Sequence, residues 1–416
     1  MMHRTPPVDS AVDHSKRQTL KTGLAISASV AAPTSLLLGG TAQAQTALGK
    51  QELRTIGLSV TVQDRILSDF KAKSGVGKTV GTAATFPDAQ TKILSGAKDF
   101  DVWETIAERL PAIVMTKKVD PVATKLLKNW ANIRDVFTKP NPNLAPAAQI
   151  TGQIWADKAQ TQLYMVPTVY NYDSIGYNPS VVSAEEANSW TAIFDKKWKG
   201  KSGLNTDPLI AIGQAILAMN SLGLSAVKNP GNPSKKEIDE AIKFLISKKK
   251  DGQFRALWGD FGELVNLMAS GEMVVCDAWQ PAVMAVKAQG KPCKYATPKE
   301  GYRAWAIGVS VIAGSPNKDA AVAYADYWLS GPPAIAVSEQ GYYSPSTNVK
   351  SVMSADKYNF WYEGKPWVGA AERGIKEGDL RDGGSLATRA SQVAYWHQWP
   401  DAYDHLIQKW NEFLTA

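Results

Sequence analysis

Short apolar runs alternate with helical spacing through the first third of the chain. Residues 53–60 read as a strand and 64–73 as a helix stopped by Gly75. Residues 79–84 form a second predicted strand and 88–94 a helix. A third strand, 100–103, precedes a helix reaching Met115. Strands alternating with helices of this size predict a parallel sheet with right-handed crossovers. Residues 166–178, Val-Pro-Thr-Val-Tyr-Asn-Tyr-Asp-Ser-Ile-Gly-Tyr-Asn, make one extended stretch long enough to leave one lobe and enter another. A second α/β set follows. It holds a helix near 190–198, a strand at 203–205 and a helix capped by Asp207 and opened by Pro208. Helices over 235–249 and 260–269 come next, then a strand at 272–277, a helix to Gln289 and a strand at 294–297. A second extended run, 303–313, carries the chain back. Residues 317–329 are helical, and the Trp- and Tyr-rich C-terminal stretch closes in a helix over 401–414. No internal repeat of 20–50 residues is present.

The 416-residue chain is 44% apolar and 20% charged, a globular balance that excludes a disordered or fibrous protein. Its length favours two lobes or domains. Its formal net charge of +7 has to be corrected for an N-terminal export signal. Residues 15–21, Ser-Lys-Arg-Gln-Thr-Leu-Lys, precede a small-residue apolar run over 22–40. That run is broken by Pro33 and ends in Thr-Ala-Gln-Ala at 41–44. It is too short and too interrupted for a permanent membrane span, so cleavage is expected after Ala44. The basic stretch resembles a twin-arginine export motif with Lys16 in place of the first arginine, and the Sec route stays open. Without residues 1–44 the net charge is +5 over 372 residues. That remainder is spread over many helix faces, so no nucleic-acid partner is expected.

Several local motifs fail for want of context. Residues 72–79, Ala-Lys-Ser-Gly-Val-Gly-Lys-Thr, approach a phosphate loop. A helix precedes them and a strand follows, the reverse of what anion binding at a helix N-terminus requires. Asp260-Phe261-Gly262 echoes a kinase metal motif with no His-Arg-Asp loop ahead of it, and reads as a helix cap. The mature chain holds two histidines, His397 and His405, too few for a histidine-metal or Ser-His-Asp centre to be expected. No cofactor is implied. Cys276 and Cys293 form a disulfide in an oxidising compartment if their Cα atoms come within about 7 Å; otherwise they are buried thiols.

The order of elements resembles the periplasmic solute-binding proteins of ABC transporters, in the branch that includes spermidine/putrescine binders. The likeness rests on Phe100-Asp101-Val102-Trp103, on the extended stretch 166–178, and on Ser189-Trp190 with Phe194-Asp195 and Trp198-Lys199-Gly200-Lys201. It continues in Gly271-Glu272 to Ala278-Trp279, in Thr297-Pro298-Lys299-Glu300-Gly301, and in Gly341-Tyr342-Tyr343-Ser344-Pro345. It spans roughly residues 53–348. The resemblance implies a two-lobed fold of the type II periplasmic-binding class, each lobe a mostly parallel α/β sheet, joined by crossing strands that act as a hinge. Lobe 1 is expected over 45–170 and 303–348 and lobe 2 over 171–302, with a helical C-terminal segment over 349–416 packing on both. The implied function is capture of a small solute in the periplasm by a monomer that delivers it to a membrane permease, without catalysis.

The loop 59–63, Ser-Val-Thr-Val-Gln, lacks the aromatic and acidic residues usual in polyamine binders. The remaining cleft candidates are Trp103, Glu104, Tyr170, Asn171, Tyr172, Asp173, Asp207, Trp279, Arg303, Trp305 and Tyr342. Aromatic walls with carboxylates suit a cationic or amine-bearing solute, whereas Arg303 suits a carboxylate. Asp207 reads equally well as a helix cap, and Glu104 as a partner of Arg109. Two other functions fit parts of the sequence. A ferric-ion binder would use Tyr342 with Tyr343, or Tyr170 with Tyr172, and a secreted glycosidase would use the tryptophans as sugar platforms.

Overall fold

The computed structural model describes residues 48–96, 98–150 and 152–416; the expected signal over 1–44 lies outside them. Strands β1 (Glu52–Gly57), β2 (Lys78–Ala83) and β3 (Val102–Ile106) run parallel in the order β2-β1-β3. The short strands β4 (Val119–Asp120), β5 (Val122–Ala123) and β6 (Gln162–Leu163) follow. Then comes the 12-residue β7 (Val166–Tyr177), buried along its whole length. Strands β8 (Ser202–Asn205), β9 (Phe254–Trp258) and β10 (Val275–Ala278) make a second parallel set in the order β10-β8-β9. The chain returns through β11 (Lys294–Tyr295) and β12 (Tyr302–Ile312), and β13 (Val393–Trp396) lies parallel to β12 near the C-terminus.

Two long strands join the halves. The first part of β7 pairs antiparallel with β12, from Val166↔Val309 to Asp173↔Arg303. Its last four residues pair with β10 instead, from Ser174↔Ala278 to Tyr177↔Val275. β12 in turn pairs with β3 of the first half. The hydrogen-bonded path is therefore continuous, β2-β1-β3-β12-β7-β10-β8-β9, with helices on its faces. The expected α/β sheets are present, each with three parallel strands, but the crossing strands run antiparallel to each other and to β3 and β10. Such buried strands are rich in β-branched and aromatic residues because both faces pack.

Local chemistry sets the ends of the elements. Gly75 sits at φ +75° after the helix Asp64–Ser74, its N–H donating to the Lys71 carbonyl, before β2 begins at Lys78. The phosphate-loop-like sequence is thus a left-handed helix cap and a turn, where glycine carries no Cβ penalty. Asp260 caps the helix Phe261–Ala269 by accepting from the Glu263 N–H. Residues 190–198, expected as a helix, form two 3-10 turns, Trp190–Phe194 and Lys196–Trp198. Ser189 and Asp195 accept backbone N–H groups there and tighten the chain. The C-terminal segment, expected as helical, contributes β13 as well as helices. Cys276 and Cys293, left open as a disulfide, are buried free thiols. Burial pushes the Cys293 thiol up to about 12 and the Cys276 thiol well above its usual value. Among the described residues no helix is long and apolar enough to cross a membrane.

Candidate functional site

The register of the crossing strands sorts the candidate residues onto two faces. Arg303 lies opposite Asp173 and Trp305 opposite Asn171. Directly opposed residues point the same way, so these four share one face of the β7–β12 ribbon. Asp277 on β10 lies opposite Ile175, two residues beyond Asp173, and continues that face. Tyr170 and Tyr172, at the alternate positions, occupy the reverse face.

The first face converges on Asp173, which is 1% exposed. It pairs with the Arg303 guanidinium, and its Oδ2 accepts from Trp305 Nε1 at 2.7 Å. The Tyr295 hydroxyl lies 3.4 Å from Oδ1 and 3.0 Å from the Ala278 carbonyl, tying this centre to the end of β10. Burial raises the Asp173 carboxyl above its usual range, although Arg303 and the indole oppose it. Tyr342 stands edge-on to Trp305, with ring centroids 5.6 Å apart.

A few residues along the same face, Asp277 is held differently. Its oxygens accept from Trp258 Nε1 at 3.0 Å and from Gln214 Nε2 at 3.1 Å. Among the described residues no cationic side chain pairs with it. Burial pushes its carboxyl up to about 7, outweighing the two hydrogen bonds and the more distant Arg303. Trp258, fully buried, meets half-buried Trp279 edge-to-face at 4.9 Å. An ionisable carboxylate with two indoles beside it is the arrangement that receives an organic cation, by ion pairing and by attraction to ring faces.

Two further contacts join the halves around this centre. Asp207 caps the helix Pro208–Ser221 through the Leu209 N–H, and its other oxygen is 2.9 Å from Arg109 Nη2. Asp207 is therefore both the expected cap and the ion-pair partner of Arg109, so Glu104 does not take that role. His397, from the strand end after β13, places Nδ1 2.8 Å from Glu108 Oε1 and Nε2 2.8 Å from the Leu209 carbonyl. Glu108 follows β3 while Leu209 opens a helix after β8, so one imidazole spans both halves. Two open depressions of 470 Å³ and 460 Å³, the first beside Pro298 and Gln392 and the second beside Pro146 and Lys228, lie away from these carboxylates and carry no comparable chemistry.

The other candidates are placed elsewhere. Trp103 is fully buried in the first half, across from Ser310. Glu104 is fully buried beside Thr55 and Tyr324, whose hydroxyls lie 3.2 Å from its Oε1, and burial pushes it up to about 7. Tyr170 and Tyr172 pack with Phe137, Tyr343 and Trp396. Tyr342 faces Trp305 whereas Tyr343 faces Tyr170, so the adjacent tyrosines do not converge on one ion. Burial raises the phenols of Tyr170 and Tyr172, the direction opposite to phenolate ligation. Sequence reasoning missed Asp277, Trp258 and Gln214. An acidic residue inside the apolar run Met273-Val274-Val275-Cys276-Asp277-Ala278 was the available signal.

A family model described as bacterial extracellular solute-binding protein matches residues 65–365. The chain belongs to that family. A spermidine/putrescine-binding periplasmic protein of Escherichia coli K12 is 27% identical over 301 residues, covering 71% of this chain and 77% of the relative. A putrescine/agmatine-binding protein of Pseudomonas aeruginosa is 21% identical over 280 residues, covering 62% and 68%. In shape, the chain is similar to the spermidine/putrescine ABC transporter substrate-binding protein of Streptococcus pneumoniae. The TM-score is 0.63 at 13% identity, over 87% of this chain and 99% of that one. The protein is thus a two-lobed substrate-binding component of an ABC importer, from a family of binding proteins rather than enzymes. The family match stops at residue 365, so His397 comes from a segment beyond it.

Proposed function

We propose that this solute-binding protein captures an amine-bearing solute at the junction of its two lobes and hands it to a membrane permease. The observation that carries this reading is Asp277, a buried carboxylate held by neutral donors, with no cationic partner among the described residues, and with Trp258 bonded to it and packed on Trp279. The polyamine names of its relatives agree with it. Lobe 1 comprises residues 45–170 and 303–348, lobe 2 comprises 171–302, and 349–416 packs across both. The switch of β7 from β12 to β10 supports that division, and opening proceeds by bending the two crossing strands. The protein works as a monomer.

Native mass spectrometry of freshly purified protein, followed by thermal-shift measurements with amines, amino acids, sugars, organic acids and ferric iron, tests the reading. An amine at 100 times its Kd stabilises the protein by about 2.7 kcal/mol. Trp279→Ala removes that shift while the ligand-free melting temperature holds within a few degrees, because Trp279 is only half-buried. Stabilisation by ferric iron or a sugar, with none by amines, would sink the proposal.

We also place the mature protein in the periplasm, with the signal removed after Ala44. N-terminal sequencing of the periplasmic protein is expected to begin at Gln45; a chain retaining Met1 there contradicts this.

A further inference from the structure

The face that carries the two aspartates also carries donors with nothing to bond. Asn171 is fully buried, directly opposite Trp305 and two residues from Asp173. Among the described residues neither its Nδ2 nor its Oδ1 has a hydrogen-bond partner, and neither does Arg303 Nε. Leaving a buried polar group unpaired costs about 1–3 kcal/mol, and more when the group is charged. Three unpaired atoms on one face of the paired strands, two on Asn171 and one on Arg303, mark a place where another molecule's polar atoms complete the set.

The kind of atom missing is informative. An amine contributes only donors once protonated. It satisfies Asn171 Oδ1 and the aspartates and does nothing for Asn171 Nδ2 or Arg303 Nε. Those two need an acceptor. We infer that the solute carries an oxygen acceptor, a carboxylate, hydroxyl or carbonyl, in the same molecule as its amine, with Asn171 and Arg303 receiving the oxygen and Asp277 the ammonium. This rests on the amine reading above and narrows it, since a plain diamine or polyamine leaves both donors buried and unpaired. The geometry agrees: Asp173 neutralises one edge of the Arg303 guanidinium while its Nε–H stays unused.

The test is calorimetric titration of the mature protein with chain-matched probes. Putrescine and cadaverine are set against 4-aminobutanoate and 5-aminopentanoate and against the corresponding amino alcohols. The oxygen-bearing amines are expected to bind at least about tenfold tighter than the diamines of equal length, a difference of about 1.4 kcal/mol. Asn171→Leu is expected to erase that preference. Asn171→Asp, which keeps the size and replaces the donor by an acceptor, is expected to turn it toward the diamines. Diamines that bind as well as or better than their oxygen-bearing partners overturn this inference and leave the amine reading standing. A preference that survives both Asn171 variants overturns the assignment of Asn171, and so does a variant that melts lower with its ligand ratio unmoved. If none of the amines in the broader thermal-shift panel binds, the amine reading falls and this inference with it.

Discussion

Asp277→Asn is expected to lose at least about 100-fold in amine affinity while melting higher than the parent protein above pH 7. Binding weakens because removing one charge of a buried, hydrogen-bonded ion pair costs roughly 2–5 kcal/mol, the ligand ammonium being left without its counter-charge. Stability rises for the opposite reason. In the folded protein the Asp277 carboxyl titrates at about 7, against 3.8 for the free side chain. The folded state therefore holds this proton more tightly than the unfolded state does. Stability falls as pH rises from about 4 to about 7, and the whole cost, a few kcal/mol, is present above pH 7. Asparagine never ionises and escapes it. The substitution is also accommodated locally, because Gln214 can turn its amide so that its unpaired Oε1 accepts from the new Nδ2. The same titration governs the ligand. Below about pH 7 an amine must displace the Asp277 proton, so affinity is expected to fall toward tenfold per pH unit. Calorimetry and thermal melts between pH 5 and 8, for both proteins, check the two trends. Parallel pH profiles for parent and variant would remove Asp277 from the site.

Arg303→Met is expected to be the most damaging single change to the fold among the site residues. It leaves Asp173 buried with only the Trp305 indole and the Tyr295 hydroxyl against it. Breaking a buried ion pair by removing one partner costs about 3–5 kcal/mol, because the remaining charge is uncompensated. A drop in melting temperature of about 4–6 °C follows for a chain of this size. The double variant Arg303→Met/Asp173→Asn is expected to recover most of the loss, since asparagine still offers an oxygen to Trp305 and carries no charge. A double-mutant cycle by chemical denaturation measures the coupling. Additive losses would mean that the pair does not act as a unit.

The outline of the fold was legible in the chain. Alternating strand and helix spacing marked the α/β sets on either side of residues 166–178, and the two extended stretches became β7 and β12. The cap at Asp207, the turn at Gly75 and the cap at Asp260 follow from local chemistry that needs no distant partner. The site was legible only in part. Asp173, Arg303, Trp305 and Tyr342 were on the candidate roll and do meet. Tyr170 and Tyr172 were there with equal claim and face the other way. Glu108 and His397, separated by 289 residues, gave no pattern to find.

The sequence by itself did not show β9, β13 or the 3-10 turns at 190–198, but it determined the order of most elements, several of their caps, and the two points at which the chain passes between halves. Those features depend on spacing, turn residues and short-range hydrogen bonds. Only the tertiary structure decided which residues share the face proposed here to bind the solute. Every position of β7 and β12 is buried, so no alternation of polar and apolar residues distinguishes one side of the ribbon from the other. Opposition of Asp173 to Arg303 and of Asp277 to Ile175 is set by strand register, and the registering partners come from parts of the chain about 100 residues or more apart. The raised proton affinity of Asp277 is likewise a property of what packs around it, because burial and the nearby Asp173 charge cause it, and neither is written in its neighbours along the chain.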